Sequence, residues 1–265
     1  MIELAPANKL GLSVASPVMP AAGFFGYGPE YSRLVDVSVL GAVVTNPITL
    51  RPRSARPEPR IVEVEGGILL AQGVPNPGVR RVIRSYASIW SRLDPPVIAN
   101  LAPDHPDDLE RTARALESIG VVAGLELGLP DILSEDIIPM IRAVRRCELP
   151  LLVKLPFQGA VDAALLCEDL GVDALVIAAP PAATARHPSG AVVSGHLFGP
   201  IVHALTLPVL EAVGAHVDLP LIACGGVHDE TDARLMLNCG AAAVQVDSLF
   251  FVDPSAVNRL AQAFV

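Results

Sequence analysis

The chain has 265 residues, of which 51% are hydrophobic and 18% charged, and it carries a net charge of −9. This length and apolar content suit one domain with a large core, and the negative charge argues against a basic face for nucleic acid, so we expect a small-molecule substrate. Charge, Pro or Gly interrupts every apolar run before it could span a bilayer, and the first residues lack a basic and apolar leader pattern, so we expect a cytoplasmic protein with no membrane segment.

The first half of the chain alternates between apolar strands and amphipathic helices. Apolar residues recur every three or four positions from Leu109 to Ile119, which is typical of one helix face. The run GAVVTNP at 41–47 is rich in β-branched residues, as buried parallel strands are. We predict strands at 17–23, 41–47, 96–101 and 121–127, and helices at 29–37, 79–93, 106–119 and 134–146.

The second half continues this alternation. Its last unit, 219–248, has an apolar run that ends at Gly225 and Gly226, then a helix, then a second run that ends at Asp247. Further strands are predicted at 149–155, 173–178 and 241–246, and helices at 160–170, 201–216, within 227–240 and at 254–264.

Eight strands and eight helices in strict alternation predict a single α/β domain over 1–265, a (β/α)8 TIM barrel. Two connections, at about 48–78 and 180–200, are unusually long, and each follows a predicted strand. Because barrel active sites lie on the loops after the strands, we expect both insertions at the mouth of the site.

Two residue types bear on the chemistry of the site. The four cysteines form no CxxC pair, so we expect reduced thiols and no metal site. Lys9 and Lys154 are the only lysines, and Lys154 ends a predicted strand. It is either a functional cation or a side chain that extends along the barrel rim.

The glycine pair Gly225 and Gly226 predicts a phosphate site. Residues without Cβ at the end of a buried strand let backbone N–H groups approach a phosphate, and the next helix adds its dipole. The last two strands of a barrel often carry such a site. We therefore expect a phosphorylated ligand.

Several motifs resemble the dihydroorotate dehydrogenases, particularly the soluble class 1 flavoproteins. The most specific are MPAAGFFGYGPEY at 19–31 and GAVVTNPITLRPRSARPEPRI at 41–61. The resemblance implies an FMN-dependent oxidoreductase of pyrimidine biosynthesis, in which hydride passes from dihydroorotate to the flavin and a loop cysteine is the base. Shorter matches are GVPNPG at 73–78, VIANLA from 97, VKLP from 153, GHLFGP from 195, ACGGV from 223 and AAVQVDSLFF from 242.

The resemblance also implies the residues around the flavin. Asn100 and Lys154 contact its ring and ribityl chain, and the Lys154 ammonium would stabilise negative charge on the reduced ring. Asn46 replaces a lysine near the ring, Ser248 could donate to the phosphate, and Asn76 is a retained substrate amide. The other implied contacts are Ala21, Ala22 and Gly23 along the flavin and Gly199, Gly225 and Gly226 at its phosphate.

Other family positions differ, and these differences predict an altered substrate. The motif Asn-Ile-Ser-Cys-Pro-Asn expected after the fourth strand reads GLPD at 128–131, so the cysteine base is missing. Leu70, Ala178 and Ala179 stand around positions where asparagine or threonine is expected. Since amides recognise the polar edges of a pyrimidine, each loss would leave a substrate group unpaired at a cost of about 1–3 kcal/mol.

The catalytic base is left unassigned by the sequence. Asp131, His187 and His196 on the mouth loops could act near neutral pH, although a single loop histidine is more often only solvated. The arginines of the first insertion either bind an anionic substrate or dock the insertion on the barrel: Arg51, Arg53, Arg56 and Arg60.

Asp247 separates the functional hypotheses, because it stands with Ser248 where Gly-Thr is expected at the phosphate. A carboxylate that faces the ligand would repel a phosphate and favours a non-catalytic binding or assembly subunit. One that turns away to cap the next turn favours an FMN-dependent oxidoreductase with an altered substrate. A barrel for another phosphorylated metabolite is a third hypothesis. The family resemblance suggests a homodimer or an electron-transfer subunit as partner.

Overall fold

The computed structural model describes residues 1–131 and 137–264. Its strands are β1 (Ile2–Glu3), β2 (Ser13–Val14), β3 (Val18–Pro20), β4 (Val43–Val44), β5 (Ile61–Val64), β6 (Gly67–Leu70), β7 (Val97–Leu101), β8 (Gly124–Gly128), β9 (Leu151–Lys154), β10 (Ala174–Ile177), β11 (Ala182–Arg186), β12 (Val192–Phe198), β13 (Leu221–Cys224) and β14 (Ala243–Val246). Its helices are α1 (Val79–Trp90), α2 (Pro106–Glu117), α3 (Ile137–Val144), α4 (Ala160–Asp169), α5 (His203–Gly214), α6 (Glu230–Asn238), α7 (Leu249–Val252) and α8 (Ala256–Gln262).

Eight parallel strands form the barrel in the order β3, β4, β7, β8, β9, β10, β13 and β14. Their side chains are almost all buried, because helices cover the outside and facing side chains fill the interior, which explains the continuous apolar runs. Backbone ladders join the strands from β4 round to β3. The Gly41 N–H donates to the Val18 carbonyl at 2.8 Å across the remaining seam. The predicted α/β barrel is confirmed.

Most predicted helices are confirmed, but the one over 29–37 is wrong. The segment forms turns, such as the one closed by the Leu34 N–H on the Tyr31 carbonyl, followed by a 3-10 turn at Val37–Val39. Side-chain caps compete with helix formation here, because the Asp36 carboxylate accepts the Ser38 N–H. The predicted start of the 134–146 helix lies outside the described residues.

The two insertions form one antiparallel sheet in the order β11, β12, β6, β5, which we call the mouth sheet. His196 of β12 pairs with Leu70 of β6, so residues 126 positions apart become neighbours. The prediction that 180–200 is a loop is therefore wrong. The sheet has a small core of its own, made by Val62, Leu69, Ala71 and Val193.

Two classes of feature are missing from residues 1–131 and 137–264. No helix in these ranges has the length and apolarity to cross a membrane. No three His, Cys, Asp or Glu side chains in them gather as a metal site. Cys147, Cys167 and Cys224 are buried free thiols, while Cys239 is half-buried.

Candidate active site

A cavity of about 480 Å³ opens at the carboxyl ends of the barrel strands, beneath the mouth sheet. Barrel sites lie at this end because the loops that follow the strands converge there. Polar groups are few and lie at the floor, at one end and at the rim. The walls are mainly apolar and include Ala21, Ala22, Phe24, Leu70, Ala71, Val74, Leu101, Ala102, Leu129, Ala178, Ala179, Phe198 and Phe251.

The floor is a buried polar cluster centred on Glu126, which is fully buried. Lys154 Nζ lies 3.5 Å from Glu126 Oε1, and Asn100 Nδ2 donates to the same oxygen at 2.8 Å. Gln245 Nε2 donates to the other carboxylate oxygen. Neighbouring strands create this cluster, since Asn100 pairs with Glu126 across β7 and β8. The carboxylate fixes the ammonium at the edge of the cavity that both Lys154 and Asn100 line.

The charge of Lys154 is stabilised by its neighbours. Burial opposes the charged form, but attraction to Cys224 and Glu126 outweighs burial and raises the pKa of Lys154 above its ordinary value. Burial raises the pKa of Cys224 to about 12, so at pH 7 this thiol contacts the ammonium as a neutral group. The raised pKa favours the charged form of Lys154 at the floor of the cavity.

Asp247 also lines the cavity, directly after β14, and is only 2% exposed. Its Oδ1 accepts the backbone N–H of Ser248 and, at 2.9 Å, the Ser248 hydroxyl. Burial raises the pKa of Asp247, although the Ser248 and Gly226 N–H groups and nearby His228 partly offset this. Asp247 thus lines the cavity, while its side chain is bonded to Ser248 at the start of the next turn.

The rim carries a histidine and an aspartate in contact. His196 Nε2 lies 2.9 Å from Asp131 Oδ2 and 3.1 Å from Oδ1. Both residues line the cavity, one from β12 and the other from the shortened loop after β8. His187, by contrast, bonds to Ser189 within its own turn. The sequence named all three as candidate acids or bases, and the fold pairs Asp131 with His196.

The arginines of the first insertion divide into two kinds. Arg53 bridges Asp104 at 3.0 Å and donates to the Pro103 carbonyl, so it docks the insertion on the barrel. Arg60 pairs with Glu58 in the same loop. Arg56 is exposed and lines the cavity. Anion binding therefore stays a prediction for Arg56, whereas Arg51 is exposed and does not line the cavity.

The residues predicted to bind cofactor or substrate fall into two sets. Asn46 accepts the Gly26 N–H, and Asn76 Oδ1 accepts bonds from Thr49 and Gly78. These two side chains therefore brace loops. The predicted residues that line the cavity are Ala21, Ala22, Gly23, Asn100, Lys154 and Gly225, whereas Asn46, Asn76, Gly199, Gly226 and Ser248 do not line it.

Sequence reasoning missed Glu126 and Gln245, which orient the floor. Each is a polar residue within an otherwise apolar strand, in LEL and AVQV. A charged residue is almost never fully buried unless it is paired. That rule could have indicated that Glu126, within a buried strand, pairs with a buried cation, and Lys154 is that cation.

The cavity fits one part of the expected FMN better than the other. A cation and an amide beside apolar walls suit the polar edge of a flavin ring. The phosphate end does not fit: Asp247 is a carboxylate, and it already accepts the Ser248 N–H. A Cβ on Gly226 would lie 2.3 Å from the His203 backbone nitrogen, so close packing against the chain requires this glycine.

Comparison with known proteins identifies relatives over nearly the whole chain. The family described as "Dihydroorotate dehydrogenase" matches residues 5–264. A Pelobacter propionicus protein named dihydroorotate dehydrogenase B (NAD(+)), catalytic subunit, is 36% identical, with 96% of this chain and 90% of the relative aligned. Proteins of the same name from Geobacter sp. (strain M21) and Trichlorobacter lovleyi are 34% and 35% identical, each with 95% of this chain and 89% of the relative aligned.

Proposed function

The chain belongs to the dihydroorotate dehydrogenase family, and from this premise we propose that it is a flavin-dependent oxidoreductase with an altered substrate. The observation that carries the proposal is Lys154, a buried ammonium held by Glu126 at the floor of an apolar cavity. FMN is the flavin that the sequence resemblance implies. When bound, a flavin supplies a two-electron acceptor for hydride.

Lys154 and Asn100 have the binding role. The ammonium attracts the electron-rich edge of a ring and stabilises negative charge that develops on it. The amide of Asn100 is already oriented by Glu126, so it needs little ordering when a ligand enters. The apolar walls exclude water from the ring faces.

The substrate of this enzyme is a small molecule with fewer polar groups than dihydroorotate. Leu70, Ala178 and Ala179 line the cavity where amides would be needed to recognise a pyrimidine. Arg56 at the entrance supplies a cation for an anionic substituent. The proposed reaction oxidises the substrate by two electrons, with one proton removed by the protein and one hydride transferred.

His196 is the proposed base. The Asp131 carboxylate accepts a bond from Nε2 and so orients the ring, which leaves Nδ1 as the atom that takes the proton. Asp131 also stabilises the charged ring that results. This pair would replace the cysteine that the family motif carries in the loop after the fourth barrel strand.

The electrons leave through a partner. The relatives are named catalytic subunits of an NAD(+) enzyme, so we propose that this cytoplasmic chain also associates with an electron-transfer subunit, and that it forms a homodimer. Light scattering of the chain alone, then after mixing with a purified electron-transfer subunit of a dihydroorotate dehydrogenase B, measures both associations. A protein that stays monomeric under both conditions would contradict this part of the proposal.

The first test is the visible spectrum of the purified full-length protein, with any released riboflavin, FMN or FAD identified by chromatography. Lys154→Met should weaken flavin binding roughly tenfold to a hundredfold, since bonds to a charged group contribute about 1.5–3 kcal/mol. Lys9→Met is the matched control, because Lys9 forms an exposed pair with Glu148. Equal flavin content in both variants would contradict the role of Lys154.

A second candidate function is a non-catalytic binding subunit, favoured by the buried Asp247 in the cavity lining. Anaerobic mixing with dihydroorotate and with less polar cyclic dihydro-compounds separates the two. Bleaching of a bound flavin by any of them supports the oxidoreductase. The binding subunit is supported if dithionite reduces the bound flavin but none of the tested compounds does.

A further inference from the structure

Asp247 occupies the position where the sequence predicts an anion. The carboxylate follows β14, lines the cavity beside Gly225 and is 2% exposed. An anion bound there would need backbone N–H groups at the ends of β13 and β14. The Ser248 N–H instead donates to Asp247 Oδ1, and the Gly226 N–H also acts on this carboxylate.

The other groups at this end are also engaged. The Ser248 hydroxyl donates to Asp247 at 2.9 Å, and His228 Nε2 lies 3.0 Å from the same hydroxyl. Burial lowers the pKa of His228, so this imidazole adds little positive charge to offset a second anion. The side chains of Asp247, Ser248 and His228 therefore form a continuous hydrogen-bonded chain.

The glycines at this end are explained by contacts within the protein. A Cβ on Gly225 would lie 2.8 Å from Thr206 Oγ1, and a Cβ on Gly199 would lie 2.5 Å from the Cα of Gly67. These contacts place the chain against the start of α5 and against the mouth sheet. A bound phosphate is not required to explain either glycine.

We infer that the cavity selects a flavin with an uncharged, hydroxyl-bearing chain, riboflavin, over its phosphate ester FMN. A phosphate monoester carries a charge of about −1.5 to −2 at pH 7, and at this place it would meet a buried carboxyl group whose neighbouring Ser248 donors are already engaged. A chain hydroxyl can instead donate to the carboxylate. This inference rests on the proposed flavin function and names the form of flavin that the site takes.

Flavin-fluorescence quenching of the full-length protein, stripped of any bound flavin, tests the inference with riboflavin and FMN as ligands. The wild type should bind riboflavin at least tenfold more tightly than FMN. Asp247→Asn replaces the carboxyl group with an amide of nearly the same shape, and Asp247→Gly frees the N–H groups. Each should lower this preference at least tenfold, whereas Asp218→Asn, a change at an exposed carboxylate, should not.

The outcomes distinguish the inference from the proposed function. FMN binding as tight as riboflavin in the wild type, with no change in the Asp247 variants, overturns the inference and leaves the flavin function standing. Failure of folded wild type and variants to bind either flavin overturns the flavin function. Inorganic phosphate is an independent probe: it should raise the Tm of Asp247→Gly but not of the wild type, and equal effects would overturn the inference.

Discussion

At the ends of β7, β8 and β9, a buried cation lies beside a buried carboxylate, whereas at the ends of β13 and β14 a buried carboxylate lies against N–H and O–H donors. The Glu126 carboxylate pairs with the Lys154 ammonium, and of the two residues Lys154 lines the cavity. At the ends of β13 and β14 the buried group is the Asp247 carboxyl, which accepts the Ser248 N–H and hydroxyl of the chain itself. One cavity thus attracts electron-rich groups beside Lys154 and offers an anion no free Ser248 donor beside Asp247.

The largest expected effect comes from breaking the floor cluster. Glu126→Ala leaves the Lys154 ammonium buried without its partner and frees two amides, so the free energy of unfolding should fall by about 3–5 kcal/mol. Urea denaturation followed by circular dichroism measures this. Glu65→Ala, on an exposed turn, is the control and should change stability by less than about 0.5 kcal/mol.

The double variant Glu126→Leu/Lys154→Met tests whether the loss of stability comes from the unpaired ammonium, because it removes both members of the pair. It should be more stable than Glu126→Ala, since a buried pair replaced by apolar groups costs less than one broken pair. If the double variant is the less stable of the two, Lys154 is not the group that Glu126 compensates.

The rim between the two ends is tested by His196→Gln. Loss of a general base should slow reduction of the bound flavin by roughly a hundredfold. The unfolding free energy should change by no more than about 1 kcal/mol, because the pair with Asp131 is partly exposed. Stopped-flow bleaching with the substrate found by screening provides the rate. His187→Gln is the matched control, and an equal rate in both variants would exclude His196 as the base.

A smaller effect concerns Asp247 and pH. Its pKa is raised by burial, so the folded protein keeps a proton that the unfolded chain loses, and stability falls as pH rises from the ordinary value of 3.8 to the raised one. Asp247→Asn lacks this dependence. Its stability relative to wild type should therefore increase with pH across that window and then level off. A constant difference in urea titrations from pH 4 to 8 would contradict the raised pKa.

The smallest effect is expected at Asp253, just beyond this end of the barrel. Bonds from Ser255 and Arg259 lower the pKa of Asp253 to about 2. Its contribution to stability is present above pH 3.8 and is lost as pH falls toward 2. Asp253→Asn should therefore differ slightly from wild type at pH 6 and match it near pH 2 in thermal unfolding. A difference that grows in acid would reverse the assigned direction.

The barrel could be predicted from the sequence because its strands are buried on both faces and so appear as apolar runs. The run PVIANL, for example, contains β7 without ambiguity. The mouth sheet could not be predicted in this way. The residues of β11, AATAR, are small or polar and only partly buried, so they leave no apolar run. The sheet also joins β12 to β6, whose residues are distant in the chain, and single-sequence patterns do not reveal pairing at that separation.

A site residue could be predicted from the sequence where its type and its place at a strand end were enough to single it out. Lys154 was identified as a rare lysine at a strand end, and it lines the cavity. The contact between Asp131 and His196 joins residues 65 positions apart, so it required the fold. The orientation of Asp247 was left open by the sequence, since an aspartate after a strand can either cap a turn or face a cavity.

The mouth sheet also has a consequence for how a ligand enters. Its separate core contains only four buried apolar side chains, Val62, Leu69, Ala71 and Val193, against dozens in the barrel. A unit with so small a core opens at a lower free energy than global unfolding. We therefore expect backbone amides of β6 and β12 to exchange with deuterium much faster than those of β8 and β9. The cavity would then exchange its ligand through brief local unfolding of this sheet while the barrel stays intact.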